Sequence, residues 1–405
     1  MSRNPVVITG LGVVAPHGDT PEAVFEALLR GESAAHLWQN EDVPPTVVCA
    51  APFAVERWFT KLQLPGVDRV SQIAVAAAES ARAHAGIANI SEPARVGVFV
   101  GTGMGGAQSL DQGYENYRQN KRVPPLTVPA FMSNAAAAHI AIRAKITGPV
   151  YTYSVACASS AVAIAEAAKA IALGEIDFAI AGGTEALIVP GVVRAWQALQ
   201  TLAGAEGDPA QACRPFDAKR SGFVLGEGAA MLVLESRAHA QARGAKIIAE
   251  IAGWGVSCDA SHLTKPSAAG QVQALRQMLR ATGLQPSDIG YCNAHGTATR
   301  VGDVAESQAL AEVWGNDLPS LKVSSTKALH GHLLGAAGAL EAVITALAVQ
   351  RGQLPPAVNC TEPEPECAIA LVGASDVEAP NLKAAISNSF AFGGTNVVLA
   401  FRRAQ

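Results

Sequence analysis

Continuous apolar runs of strand length, bounded by glycine and separated by stretches of helical spacing, constrain this 405-residue chain more than any other feature. Residues 6–14, 96–100 and 178–180 are β-rich apolar runs, and between them 21–29, 70–85 and 161–173 repeat with helical spacing, Glu or Lys on one side. A strand that is apolar all along has no solvent face, so its sheet must be covered by helices on both sides. The pattern therefore predicts an α/β protein. A second series starts near Ala245. It reads as strands at 247–253 and 256, a helix over 272–281, a turn and strand over 287–293, helices over 304–313 and 336–350, and closing strands at 384–388 and 396–402. The polar stretch 236–243 is a junction, which divides the chain into halves at 1–242 and 243–405.

The two halves carry a hint of duplication. Cys157 opens an Ala-rich helix closed by Gly174, and Gly335 opens another closed by Gly352. Both spans cover 17 positions, from 157 to 174 and from 335 to 352. One matched spacing is weak evidence for a repeat until chemistry is found at the same places.

Composition narrows the class. Hydrophobic residues make up 49% and charged residues 16%, which fits buried sheets and excludes a disordered chain. A net charge of −4 gives no global attraction for nucleic acid or an anionic membrane. Seven cysteines, scattered without a CxxC pair, argue against a disulfide framework or structural zinc and for a reducing compartment. The apolar N-terminus is broken by Gly10 and Gly12, so it reads as a strand rather than an export signal. The apolar stretch 333–349 contains Glu341 and reads as a buried helix, not a membrane span. A soluble cytoplasmic protein is expected.

Cys157 stands where an extended run meets a helix. Free N–H groups at a helix start favour an anion and are expected to lower the thiol pKa. That position alone leaves a core residue and a nucleophile equally open. The histidines tip the balance. His295 follows a strand in Asn293-Ala-His-Gly-Thr-Ala-Thr, with the Thr297 and Thr299 hydroxyls alternating onto one face. His332 precedes a helix in a run with Gly331, Gly335 and Gly338, which suggests close backbone approach. Two glycine-flanked histidines and a helix-start cysteine form a nucleophile with attendant bases. Lys327 and Glu341 share the same apolar segment, where charges are paired or functional. The turn Asn388-Ser-Phe-Ala-Phe-Gly-Gly-Thr-Asn396 by itself reads first as a glycine hairpin; its alternative use is to offer N–H groups to an oxyanion, with Phe392 covering an apolar tunnel.

Taken together these blocks resemble the β-ketoacyl-[acyl-carrier-protein] synthases, most closely the elongating type II class of the thiolase-like superfamily. The likeness runs from Val6-Val-Ile-Thr-Gly-Leu-Gly through Gly101-Thr-Gly-Met-Gly-Gly, Ala181-Gly-Gly-Thr-Glu and Arg214-Pro-Phe-Asp to Phe392-Gly-Gly-Thr-Asn. The resemblance implies a duplicated five-layer αβαβα fold in a homodimer and decarboxylative condensation of acyl and malonyl thioesters carried by acyl carrier protein. It implies that Cys157 takes the acyl group, that His295 and His332 support decarboxylation, and that Lys327 and Glu341 organise them. The Cys157 and Phe392 N–H groups would form the oxyanion hole. Thr297 and Thr299 would contact the pantetheine arm, and Met104, Phe131 and Gly393 would bound the substrate. Lys121 and Arg122 would dock the carrier. No metal or organic cofactor is implied, because the phosphopantetheine belongs to the carrier. The chain departs from the family at Ala391, where a glycine is usual, and in the loop 62–66, which lacks basic residues and leaves only Lys61 nearby. The segment 197–202 departs as well. These departures keep a specialised polyene or polyketide synthase with a heterodimeric partner as the alternative.

Overall fold

A computed structural model describes residues 4–404. The first half contributes β1 (Val6–Val14), α1 (Pro21–Leu29), β2 (His36–Asn40), β3 (Val43–Cys49), α2 (Arg69–His84) and β4 (Val96–Gly101). Next come α3 (Ala107–Arg118), α4 (Thr127–Phe131), α5 (Ala135–Ala144), β5 (Val150–Tyr153), α6 (Ser159–Ala172), β6 (Phe178–Glu185), α7 (Pro190–Ala198), β7 (Leu225–Gly226) and β8 (Gly228–Ser236). The helix α8 (Arg237–Ala242) leads into the second half. There β9 (Ala249–Cys258), α9 (Ala268–Thr282), β10 (Ile289–Asn293), α10 (Arg300–Trp314), β11 (Lys322–Ser324) and α11 (Lys327–His330) follow. The chain closes with α12 (Ala337–Arg351), β12 (Ala370–Leu371), β13 (Ala384–Phe390) and β14 (Thr395–Arg403).

The duplication is visible in the strand order, β12-β11-β10-β13-β14-β9-β1-β8-β6-β4-β5. In the first half β5, β4 and β6 run parallel, and β8 and β1 are added antiparallel. The second half repeats the scheme, with β11, β10 and β13 parallel and β14 and β9 antiparallel. The halves meet through a three-residue contact, Val6 to Ile8 against Ala249 to Ile251. Between the two halves of this sheet lie α6 and α12, while α2 and α5 cover the outer face of one half and α9, with α10 packed on it, that of the other. This is the five-layer αβαβα arrangement. A helix between two sheets needs apolar residues all round. Accordingly α12 is buried at every residue from Ala337 to Val349, and α6 over most of its length. At their crossing a Cβ on Gly338 would stand 3.0 Å from the Ala161 methyl, and Ala339 N–H donates to Ser160 Oγ at 2.9 Å. One core cluster draws on both halves, so they share an interior.

The stretch 334–351 is apolar and long enough to cross a membrane, yet 89% of it is buried inside the protein. It is a core helix. All seven cysteines are free. Where the sequence suggested two strands at 247–253 and 256, the structure has the single strand β9, which alternates buried residues with half-buried and, towards its end, exposed ones.

Candidate active site

The helix α6 begins at Ser159, and the turn before it holds Ala156 at φ 49°. A left-handed alanine is strained, and strain of this kind is kept where the following side chain must be aimed. That side chain is Cys157, 8% exposed. The turn before α12 has the same form, with Leu334 at φ 48°. It places His332 so that Nε2 lies 3.0 Å from Cys157 Sγ.

The tautomer of His332 follows from its other nitrogen. Leu334 N–H donates to Nδ1 at 3.3 Å, so in the neutral ring Nδ1 is the acceptor and the proton sits on Nε2. His332 therefore presents an N–H to the sulfur. His295 lies beside it, ring centroids 5.4 Å apart and edge to face. Burial pushes both histidines well below their ordinary value, reinforced by the positive charge of Lys327. Both are neutral donors at physiological pH. Phe223 meets His332 edge-on at 5.3 Å, and Phe390 lies 6.1 Å from His295.

Cys157 departs from the sequence expectation. Burial pushes its thiol up to about 12, against the opposing pull of Lys327 and of the Phe392 backbone N–H. The helix start does not lower the thiol pKa, because desolvation in an apolar pocket is the larger effect. The sulfur is held as a thiol until a partner removes its proton.

Lys327 and Glu341 form a fully buried ion pair beneath the histidines. Burial raises the Glu341 carboxyl to about 7 even against Lys327. Glu306 is a further carboxylate that sequence reasoning missed. It accepts from the His295 and Gly296 backbone N–H groups at 2.9 and 2.8 Å and from Asn388 Nδ2 at 2.9 Å. Its signal was a buried acid on the apolar face of the helix at 304–313. Arg220, also missed, is fully buried and donates to the Thr299 and Arg300 carbonyls, which fixes the loop carrying both threonines. Thr297 and Thr299 bond to each other through their hydroxyls at 3.0 Å.

Cys157, His295, His332, Thr297, Thr299 and Phe392 line one cavity of about 290 Å³, walled by Trp196, Phe223, Leu334 and Phe390. Arg300, Val301 and Lys265 stand at the same cavity, all exposed. Its roof is the β13–β14 turn, which Gly393 ties to the facing loop by donating to Leu263 O at 2.7 Å. Gly393 itself is exposed and Gly394 lines the cavity instead, because the turn reverses between them. Met104 and Phe131 are also outside this cavity. Met104 is 53% exposed, since its backbone N–H is held inward by Glu185 and the side chain faces out, and Phe131 is half-buried at the end of α4. Lys121 and Arg122 are exposed on the loop after α3 and do not line the cavity. Cys157 Sγ and a nitrogen from each histidine lie within 4.8 Å of one another, a donor set that would also suit a soft divalent metal.

A duplicated fold of this layering around a buried cysteine and two neutral histidines defines a thiolase-like acyltransferase. The model of the β-ketoacyl synthase N-terminal domain matches residues 3–240 and that of the C-terminal domain residues 248–361. The chain belongs to the β-ketoacyl synthase family. It is 39% identical to the 3-oxoacyl-[acyl-carrier-protein] synthase 2 of Rhizobium meliloti, over 98% of each chain. It is equally 39% identical to nodulation protein E of the same species, over 98% of this chain and 99% of that one. Among solved structures it resembles the ishigamide ketosynthase/chain length factor at a TM-score of 0.92 and 31% identity, covering both chains fully.

Proposed function

We propose that this protein elongates fatty acyl chains by decarboxylative condensation on Cys157, with acyl carrier protein delivering both substrates. The observation that carries the reading is the 3.0 Å contact between a proton-bearing His332 Nε2 and Cys157 Sγ, with neutral His295 alongside. Cys157 sulfur attacks the acyl thioester, and the carrier thiol leaves with the proton. Malonyl-carrier protein then enters, its arm along Thr297 and Thr299. Loss of carbon dioxide leaves the electron pair on the α-carbon as an enolate, and its oxygen takes hydrogen bonds from His295 and His332. The α-carbon attacks the Cys157 thioester, the oxyanion is held by the Cys157 and Phe392 N–H groups, and collapse expels the Cys157 thiolate, which takes a proton from water to return to the thiol. Burial, reinforced by the charge of Lys327, keeps both histidines neutral, so they act as donors throughout. No resident cofactor takes part, since the phosphopantetheine arrives on the carrier, and Lys121 and Arg122 receive its acidic surface. The reaction is cytoplasmic.

A second ketosynthase-fold subunit covers the face that carries exposed Met104, Tyr117, Val128 and Tyr151, beside the edge strand β5. This encloses Met104 and Phe131, which then limit the acyl chain. A second copy of this chain is our first choice. Similarity to a ketosynthase/chain length factor and to a nodulation protein favours, as the second reading, a specialised pathway with an unlike partner.

Incubation with acyl- and malonyl-carrier proteins tests the reading. The wild type is expected to gain an acyl mass on Cys157 and release β-ketoacyl product, and Cys157→Ala to do neither. A wild type that never carries the acyl mass would overturn it. Sedimentation of the protein alone, then with a candidate unlike subunit, separates the two assemblies.

A further inference from the structure

Glu185, at the end of β6, is a fully buried carboxylate that the condensation does not use. Among the described residues it pairs with no cation; it accepts four hydrogen bonds instead. Oε1 takes Thr102 Oγ1–H at 3.1 Å and Met104 N–H at 3.2 Å. Oε2 takes Gly103 N–H at 2.6 Å and Gly335 N–H at 3.0 Å. The cradle is built for it. A Cβ on Gly335 would fall 2.4 Å from Gly103 N and 2.5 Å from Glu185 Oε2, and one on Gly103 would fall 2.7 Å from the same oxygen. Two glycine-rich blocks of the sequence, at 101–106 and 181–185, thus meet at one carboxylate together with the turn into α12.

What that turn carries gives the tie its meaning. Gly335 directly follows Leu334, whose N–H fixes the His332 tautomer and whose side chain walls the cavity. On the other side, Gly103 and Met104 form the loop we assign to the acyl chain. We infer that Glu185 is a positioning residue, which locks the acyl-chain loop to the turn that sets the donor nitrogen of His332. The inference rests on the condensation reading above. Its chemistry requires an ionised or at least fully accepting carboxyl, because all four partners donate. Burial raises Glu185 to about 7 while the four donors pull the other way, so the bonds are what keep the acceptor form accessible. An amide cannot substitute. A glutamine with its NH₂ at the Oε2 site opposes the Gly103 and Gly335 N–H groups and frees the turn; with its NH₂ at the Oε1 site it opposes the Met104 N–H and slackens the acyl-chain loop.

The test is to measure the half-reactions separately in Glu185→Gln. Acylation of Cys157 by a short acyl-carrier thioester does not need the His332 donor in our scheme and is expected to stay within about twofold of wild type. Decarboxylation of malonyl-carrier protein is expected to fall tenfold or more, with its KM little changed, and the preference among acyl lengths to broaden. Equal losses in both half-reactions, or no loss in either, would overturn the inference. If Glu185→Gln does not fold, Thr102→Val decides, since it removes one donor of four. It should lower decarboxylation severalfold and spare acylation, and an unchanged ratio of the two rates would overturn the inference equally. A wild type with no condensation at all would instead refute the function proposed for the site.

Discussion

The two turns that open the buried helices have one backbone and two uses. In the first half a left-handed Ala156 precedes Cys157 and α6; in the second a left-handed Leu334 precedes Gly335 and α12. Each helix is closed by a left-handed glycine, Gly174 in one and Gly352 in the other. At the position after the strained residue, the first half places a thiol and the second half places nothing but a hydrogen atom. The empty position lets the backbone of the 101–106 loop and the Glu185 carboxylate come within contact, which no side chain would allow. The second half instead presents a side chain to the site three residues upstream, at His332. A repeated turn has been divided into a thiol and the imidazole that faces it.

That division is open to experiment. The largest effect is expected from His332→Ala, which removes the donor while leaving the Cys157 turn intact. Condensation should fall by roughly 10²–10⁴-fold, the range usual for a positioned proton-donating or -accepting group, while acyl transfer to Cys157 survives. Steady-state rates and intact-protein mass spectrometry read the two steps. If both vanish together, the turns do not divide the work as described.

Lys327→Met acts on the second half alone and should rank next. It strands Glu341 in the core, and loss of one partner of a buried pair costs roughly 3–5 kcal/mol, which a denaturant titration measures. Its chemical signature is a pH shift. Lys327 helps hold both histidines well below their ordinary 6.5, and a protonated ring has no unprotonated nitrogen to keep the native pattern with Leu334. Without that charge both rings titrate higher, so the acid limb of kcat/KM moves to higher pH. A limb that stays in place would remove Lys327 from the electrostatics of the site.

Relaxing the turns gives the smallest effects and compares them directly. Ala156→Gly relieves a strain of order 1 kcal/mol but adds freedom to the unfolded chain, so stability should change by less than about 1 kcal/mol. Leu334→Gly relieves the same strain and also removes a buried cavity wall, 5% exposed, so it should lose roughly 2 kcal/mol or more. Thermal unfolding of the pair distinguishes a matched backbone from matched packing.

Much of this fold was written in local pattern. The strand at 6–14 is legible to the residue, and the central helices to within two, because a buried element leaves a nearly unbroken apolar run. The helix at 21–29 is legible to the residue because its apolar positions recur with helical spacing after Pro21. The β2–β3 hairpin was not legible, since Pro44 and Pro45 lie inside β3 and deny it an ordinary strand signature. At the site, Cys157, His295, His332, Lys327 and Glu341 are brought together by the structure, as their glycine-rich settings suggested. Glu306 and Glu185 are not legible as site residues because most of their partners are backbone N–H groups, which leave no mark on side-chain spacing. The outward face of Met104 and the elevated thiol of Cys157 depend on burial, and burial at one residue is decided by elements far away in sequence.

The placement of α12 also bears on how the chain is made. Among the α-helices described it leaves the ribosome last, yet it packs on strands of both halves of the sheet. At ordinary synthesis rates it follows α6 by roughly ten to forty seconds. Throughout that interval the inner face of the first sheet has only α6 to cover it. A nascent chain of this kind should be a frequent client of holding chaperones, and truncations that stop before residue 337 should aggregate rather than yield a folded first half.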